Sequence, residues 1–237
     1  MRVMTFNIQH GLDYKNNIID LDLFVRSIKK YGADVCGLNE VRGDGPLDGY
    51  TDQTNAIGDG LGFNRYFGEA IKVDGTSPYG NAIVSRYTFK SVQTVPVPDP
   101  DDKDDESYFE TRCVVKAIAD IDGKDVCFLV CHMGLIESER KNAVKTLCGL
   151  IDELAIPTVV MGDFNAEPHD PVLAPLFDRL EDTDNKALVA HAKTFPSDNP
   201  NIKIDYILYK GLECVSTTTV TEVISDHLPI VADFIIL

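Results

Sequence analysis

The stretch Pro157–Pro168, PTVVMGDFNAEP, decides how the chain is read. Thr158–Met161 is a short apolar, β-branched run closed by Pro157 and Gly162, the pattern of a buried strand. Asp163 and Asn165 follow it, two residues apart with Phe164 between them. If strand geometry continues, both polar side chains share one face and the Phe ring takes the other. An acid and an amide at the end of a buried strand can floor an active site. The structural alternative is an Asx turn leaving the strand.

Outward from this stretch, the chain alternates apolar runs with turn residues. Arg2–Ile8 reads as a strand, and Asp20 as the N-cap of a helix running to about Tyr31 and stopped by Gly32. Asp34–Val41 is the next strand and delivers Glu40 near its end. A helix near Thr54–Leu61 precedes a strand around Asn64–Ala70. Tyr79–Ser85 and Thr88–Val95 read as adjacent strands joined by a tight turn, and Asp122-Gly123 as the turn of a hairpin between Tyr108–Ile121 and Lys124–His132. Glu137–Leu154 carries the longest helical pattern, with Ala143, Leu147, Leu150, Ile151 and Leu154 as its apolar stripe. A short helix around Pro171–Leu180 and a polar loop through Asn201 lead to strands at Lys203–Tyr209, Glu213–Val220 and Ile230–Leu237. Many strands and few helices point to an α+β fold of two stacked sheets with helices on the outside, in one domain over residues 1–237.

Composition narrows the function. The 237 residues carry a formal net charge of −16, with 22 basic residues scattered along the chain. A duplex nucleic-acid binder gathers basic residues against phosphates, so such a substrate is disfavoured. Asp99–Glu106 holds six acids and one Lys and reads as a solvated loop. No segment approaches the roughly 20 apolar residues of a membrane span, and Met1–Ile8 enters a strand without a signal-peptide pattern. The six cysteines form no CxxC pair and lie mostly in apolar runs, which suits free buried thiols in a reducing cytoplasm. Cys127 and Cys131 are expected on one side of one strand, too far apart to bridge.

The polar candidates cluster at strand ends. Asn7 closes the first strand, Glu40 the second and His132 the hairpin; Asp205 opens IDYIL, and Asp226 and His227 precede the last strand. Each alone has a structural explanation, such as a turn cap, a solvated strand end or a hydrogen-bonded core histidine. Their joint occurrence at strand termini is what suggests one site.

MTFNIQHG, GLNEV, YGNAIVSR, VCHMG, MGDFN, IDYIL and SDHLPI, in this order from residue 4 to residue 230, resemble the endonuclease/exonuclease/phosphatase superfamily with its deoxyribonuclease I-like fold. The resemblance implies a four-layer α/β/β/α sandwich of two mostly antiparallel sheets, a divalent metal and phosphoester hydrolysis. It further implies Glu40 as the main metal carboxylate, with Asn7 and Asp226 as further ligands. His227 would be the general base, oriented by Asp205, with a neutral imidazole near pH 7. Asp163 would position the nucleophile, Asn165 and His132 would donate to phosphoryl oxygens, and Arg112 would lie near the phosphate. Tyr79 and Asn81 would line the site. Hard oxygen ligands favour Mg²⁺ or Mn²⁺. Asn39 stands where the family more often has Gln, and its shorter side chain is expected to loosen contacts around Glu40. The motif set is most similar to compact bacterial hydrolases of the superfamily. With the acidic charge, it suggests a phosphodiesterase acting on a small-molecule or lipid-like ester. The alternatives are a repair or degradative nuclease and a catalytically silent binding module on the same fold.

Overall fold

The computed structural model describes residues 1–101, 103, 108–187 and 192–237. Half of the acidic stretch Asp99–Glu106 and part of the polar loop before Asn201 therefore lie outside the described residues. The chain opens with β1 (Arg2–Asn7) and a small hairpin, β2 (Leu12–Asp13) and β3 (Ile18–Ile19). Helix α1 (Leu21–Tyr31) begins where Asp20 Oδ1 accepts the Leu23 N–H at 3.0 Å and ends at Gly32, whose φ of +66° closes it. There follow β4 (Val35–Arg42), α2 (Gln53–Leu61), β5 (Asn64–Val73), β6 (Ser77–Ser85), β7 (Phe89–Pro96), β8 (Cys113–Ile121), β9 (Lys124–Cys131) and α3 (Glu137–Asp152). The chain ends through β10 (Thr158–Asp163), α4 (Ala174–Phe177), β11 (Glu181–Asp182), β12 (Asp205–Lys210), β13 (Glu213–Thr219) and β14 (Ile230–Ile235).

Two six-stranded sheets result, ordered β13-β14-β1-β4-β6-β5 and β11-β12-β10-β9-β8-β7. Each is antiparallel except for one pair, β1 with β4 and β10 with β9. Strand alternation sorts the side chains into layers. Val3, Val35 and Ile83 face Val115, Phe128, Val130, Val159, Met161 and Ile207 across the space between the sheets. Met4, Phe6, Cys36 and Leu38 point outward to Phe24 and Ile28 of α1 and Ile57 of α2. On the far side Leu129, Val160 and Leu208 pack against Ala143, Leu147 and Ile151 of α3 and Leu176 of α4. The fold is the expected four-layer α/β/β/α sandwich. All six cysteines are free and buried, and Cys127 and Cys131 share the α3-facing core. Among the described residues, no helix is long and apolar enough to cross a membrane.

One strand pairing departs from expectation. Tyr79–Ser85 and Thr88–Val95 are not neighbours: β6 lies between β5 and β4, while β7 pairs with β8 in the other sheet. Both edges of β6 are already taken, so the turn after Ser85 carries the chain across the sandwich instead of back along it. The hairpin at Asp122-Gly123 does form, with φ of +54° and +83°, the positive values that such a two-residue turn demands.

Register also decides where polar residues go. Val159 and Met161 of β10 face inward, and so by parity does Asp163; Ile207 and Tyr209 do the same for Asp205. The sheets approach closely here. A Cβ on Gly37 would meet Met161 of the opposite sheet at 2.9 Å, and one on Gly162 (φ +142°) would come 3.2 Å from Asn39 Oδ1 of the opposite sheet and collide with the Cys131 carbonyl of the neighbouring strand. Gly162→Ala is therefore expected to lower the unfolding free energy by about 3 kcal/mol or more in urea titrations. A loss under about 1 kcal/mol would contradict this packing.

Candidate active site

The inward-facing strand ends leave a cavity of about 540 Å³ at one rim of the sandwich, lined by Glu40, Tyr79, Glu110, Arg112, His132, Asp163, Asn165, Asp226 and His227. Its floor begins with Asn7 and Asn39, both fully buried. Asn39 Oδ1 accepts the Asp163 N–H at 2.9 Å, and its Nδ2 donates to Asn81 Oδ1 at 2.8 Å and to the Cys131 carbonyl at 3.2 Å. One amide thus ties β4, β6, β9 and β10 together across both sheets. The expected loosening at Asn39 does not occur, because the short side chain fits a gap already narrowed by Gly162. Asn7 Nδ2 donates to Glu40 Oε1 at 2.9 Å and to Asp163 Oδ2 at 3.2 Å, while its Oδ1 accepts the Gln9 N–H at 3.1 Å. Asn7 holds the two carboxylates from below.

Parity would turn Glu40 to the outer face. Instead the β4–β6 register shifts between Leu38 and Val41, and Glu40 adopts φ +58°, which swings its carboxylate into the cavity. There the Tyr79 hydroxyl donates to Glu40 Oε2 at 2.9 Å. Burial, with Glu40 adding to it, keeps that phenol protonated. Asn81 does not line the cavity: it is buried behind the floor, donating to the Cys113 carbonyl at 3.0 Å.

Asp163 and Asn165 combine both readings of the opening stretch. The strand ends at Asp163, whose Oδ1 accepts the Asn165 N–H at 2.9 Å in an Asx turn. Asn165, at φ +48°, is turned back so that its Nδ2 donates to the Met133 carbonyl at 2.9 Å beside His132. The turn brings acid and amide to one cavity where an extended strand was expected to do so.

A second wall is knitted from three segments. Thr194 Oγ1 accepts the N–H groups of Ile204 and Asp205, and the Thr194 carbonyl accepts the Leu228 N–H at 2.8 Å. The Asp226 carbonyl accepts the Ser197 N–H at 2.7 Å. These bonds set Asp205 Oδ2 2.9 Å from His227 Nδ1, with Nε2 facing Asp163 Oδ2 at 3.6 Å and the ring against Phe195 at 4.8 Å. Burial alone would lower the His227 pKa. The carboxylates of Asp205, Asp163 and Asp226 outweigh it and push the value up to about 10, so the imidazole of this carboxylate cluster is cationic rather than neutral as expected. Burial raises Asp163 and Asp226 above the usual carboxylate range.

The third wall carries Arg112 and His132. Arg112 Nη1 lies 2.6 Å from Glu110 Oε1 and 3.2 Å from His132 Nδ1. A guanidinium only donates, so Nδ1 accepts, while Nε2 lies 3.2 Å from Asn165 Nδ2 and 3.5 Å from Asp163 Oδ2. Burial, then Arg112 and His227, hold His132 neutral, far below the ordinary histidine value. Arg112 lines the cavity, and its Nε is buried with no hydrogen-bond partner among the described residues.

The sequence reading missed Glu110 and the apolar side of the cavity, formed by Tyr108, Leu135, Phe195, Ile202 and Ile204. Glu110 stands two residues before Arg112, a spacing that could have flagged it. The apolar wall comes from three distant segments and leaves no local signal. For a cation, the donor set fits: Glu40, Glu110, Asp163 and Asp226 face Arg112 and His227, an excess of hard carboxylate oxygens in a half-enclosed space. Asp163, Asp205 and His227 also place ligand atoms within 4.8 Å of one another, but the Asp205–His227 hydrogen bond already engages two of them. Replacing Asn39 by Ala would leave the Asp163 N–H and Asn81 Oδ1 buried without partners. It is expected to cost about 3 kcal/mol of stability, measured by urea unfolding, and a neutral result would refute the tie.

A comparison with curated proteins found no match. Among solved structures, the chain superposes on an endonuclease/exonuclease/phosphatase from Beutenbergia cavernae with a TM-score of 0.82 at 24% identity, covering 100% of this chain and 71% of the other. It superposes on a mannosyl-6-phosphatase from Bacteroides thetaiotaomicron with a TM-score of 0.77 at 15% identity, covering 99% of each chain. For the human Nocturnin catalytic domain the TM-score is 0.73 at 19% identity, over 100% of this chain and 94% of that one. These likenesses concern the fold. The sequence model of the Endonuclease/Exonuclease/phosphatase family matches residues 4–227, nearly the whole chain and every strand end that lines the cavity, and the chain belongs to that family.

Proposed function

We propose that this chain is a divalent-metal-dependent phosphodiesterase acting on a small-molecule or lipid-like ester by in-line attack of water. The observation that carries the reading is the convergence of Glu40, Asp163, Asp226, the Asp205–His227 pair and Arg112 on one cavity. Glu40 and Asp226 would hold Mg²⁺ or Mn²⁺, with Asn7 keeping Glu40 in place from beneath. When bound, the ion supplies Lewis-acid polarisation of the phosphoryl group and positive charge that offsets the surrounding carboxylates.

The rest falls to the chain's own side chains. With the surrounding carboxylates neutralised by a bound cation, the His227 ring would be neutral, and its Nε2 takes the proton of the attacking water, while Asp205 fixes the ring through Nδ1 and stabilises the imidazolium that forms. Asp163, within 3.6 Å of His227 Nε2, positions that water. Neutral His132 and the Arg112 guanidinium donate to the phosphoryl oxygens as charge builds, while Asn165, bonded through Nδ2 to the Met133 carbonyl, holds that wall in place. Preorganised donors of this kind each contribute roughly 3 kcal/mol. The apolar wall of Phe195, Ile202, Ile204, Leu135 and Tyr108 favours an ester with a hydrophobic or planar group, and the net charge of −16 disfavours a nucleic-acid polyanion.

With Mg²⁺ or Mn²⁺, the purified protein is expected to hydrolyse members of a phosphoester panel. Chelation should abolish turnover, and His227→Ala should lower kcat by about 10²–10⁴-fold. A panel without turnover, on which His227→Ala is indistinguishable from the parent, overturns the reading. Cleavage of an abasic-site oligonucleotide at catalytic rates would replace the substrate class with a nuclease's.

A further inference from the structure

We propose that Glu110 is a charge filter: a fixed carboxylate beside Arg112 that penalises a second negative charge on the phosphoryl group and so favours diester monoanions over monoester dianions. This rests on the phosphodiesterase reading above and names the residue that sets its substrate charge.

Glu110 is held at three points. Its Oε1 accepts from Arg112 Nη1 at 2.6 Å, its Oε2 accepts from the Tyr108 hydroxyl at 2.9 Å, and its backbone N–H donates to Glu139 Oε1 at 2.8 Å. Glu139 is itself buried at the start of α3, where its Oε2 accepts the Ile136 N–H at 3.2 Å, so the backbone of Glu110 is moored to a helix rather than left on a free loop. The Glu110 side chain is only 13% accessible and lines the same cavity as Glu40, Asp163 and His227.

The chemistry of Arg112 makes this placement consequential. An unopposed guanidinium at a phosphate site favours the more highly charged oxyanion, because each added charge gains a further attraction. Here one donor is committed to Glu110 and another points at His132, leaving Nε without a partner. Arg112 thus lines the cavity as a donor to a phosphoryl oxygen while Glu110 offsets much of its charge. A diester carries one negative charge near neutral pH. A monoester carries close to two, since its second pKa is about 6. At separations of several ångströms and an effective dielectric constant near 20, one extra like charge beside Glu110 corresponds to a penalty on the order of tenfold to a hundredfold in affinity. The competing account is that Glu110 only holds the Arg112 rotamer. The two differ in one respect: a rotamer holder affects monoanions and dianions alike, and a filter does not.

The test uses the Mg²⁺-loaded full chain and its Glu110→Gln variant, titrated calorimetrically at pH 8 with inorganic phosphate as the dianion and dimethyl phosphate as the monoanion. The variant is expected to gain about tenfold or more in phosphate affinity relative to dimethyl phosphate. In turnover, kcat/KM for p-nitrophenyl phosphate should rise by a similar factor against bis(p-nitrophenyl) phosphate. Equal changes for both anions, or none, overturn the proposal. Tyr108→Phe, at an exposed residue, releases one tether of the carboxylate and should shift the same ratio in the same direction by less; it carries the test if Glu110→Gln does not fold. The titrations need no turnover. A chain that binds both anions but hydrolyses neither ester overturns the phosphodiesterase reading alone, and one that binds neither anion overturns both.

Discussion

The site depends on the contact between the two sheets at Asn39 and Asp163. A main-chain N–H at the last residue of β10 would be buried without a partner if Asn39 Oδ1 did not reach it from the opposite sheet. Gly162 keeps this corner free of a side chain, which would collide with the Cys131 carbonyl of β9 and crowd Asn39 Oδ1 from the opposite sheet. The same amide also holds Asn81 and Cys131, so four strands from two sheets are set relative to one another by one small polar group. Hydrophobic packing between the sheets supplies the larger share of stability, but it is non-directional and would tolerate small slides. The hydrogen bonds at the rim fix where the strand ends stop.

Upon that frame the electrostatics follow. Buried carboxylates that share a cavity repel one another and resist ionisation. This cavity answers with Asn7 beneath Glu40 and Asp163, Tyr79 on Glu40, and a histidine made cationic by its acidic neighbours. The two histidines are set apart by their partners. His227 faces three carboxylates and gains a proton, whereas His132 faces Arg112 and stays neutral. One residue type thus has an acceptor or shuttle role on one wall and a donor role on the other. Arg112 is similarly divided between Glu110 and His132.

Much of this was legible in the chain. The apolar runs, the Asp20 cap with Gly32, the Asp122-Gly123 turn and the motif set located the strands and the residues at their ends. Each of these rests on local rules, namely side-chain period, capping and turn conformation, that need no knowledge of the rest of the molecule. What misled was equally local. Tyr79–Ser85 and Thr88–Val95 look like a hairpin because nothing in their sequence states that both edges of the first strand are occupied. Glu40 looks like an ordinary strand residue because a register shift against β6 is invisible in β4 alone.

The sequence by itself determined the element order, the two-sheet sandwich and most of the polar residues that meet, since hydrophobic period and turn chemistry are written in contiguous residues. Only the tertiary structure decided how those residues divide their work: Asn81 behind the floor, Asn39 as the tie between sheets, Asp163 and Asn165 joined through an Asx turn, and Glu110 on Arg112. These assignments depend on distances between segments far apart in the chain. Protonation and hydrogen-bond direction are properties of the assembled neighbourhood, and no single stretch contains it.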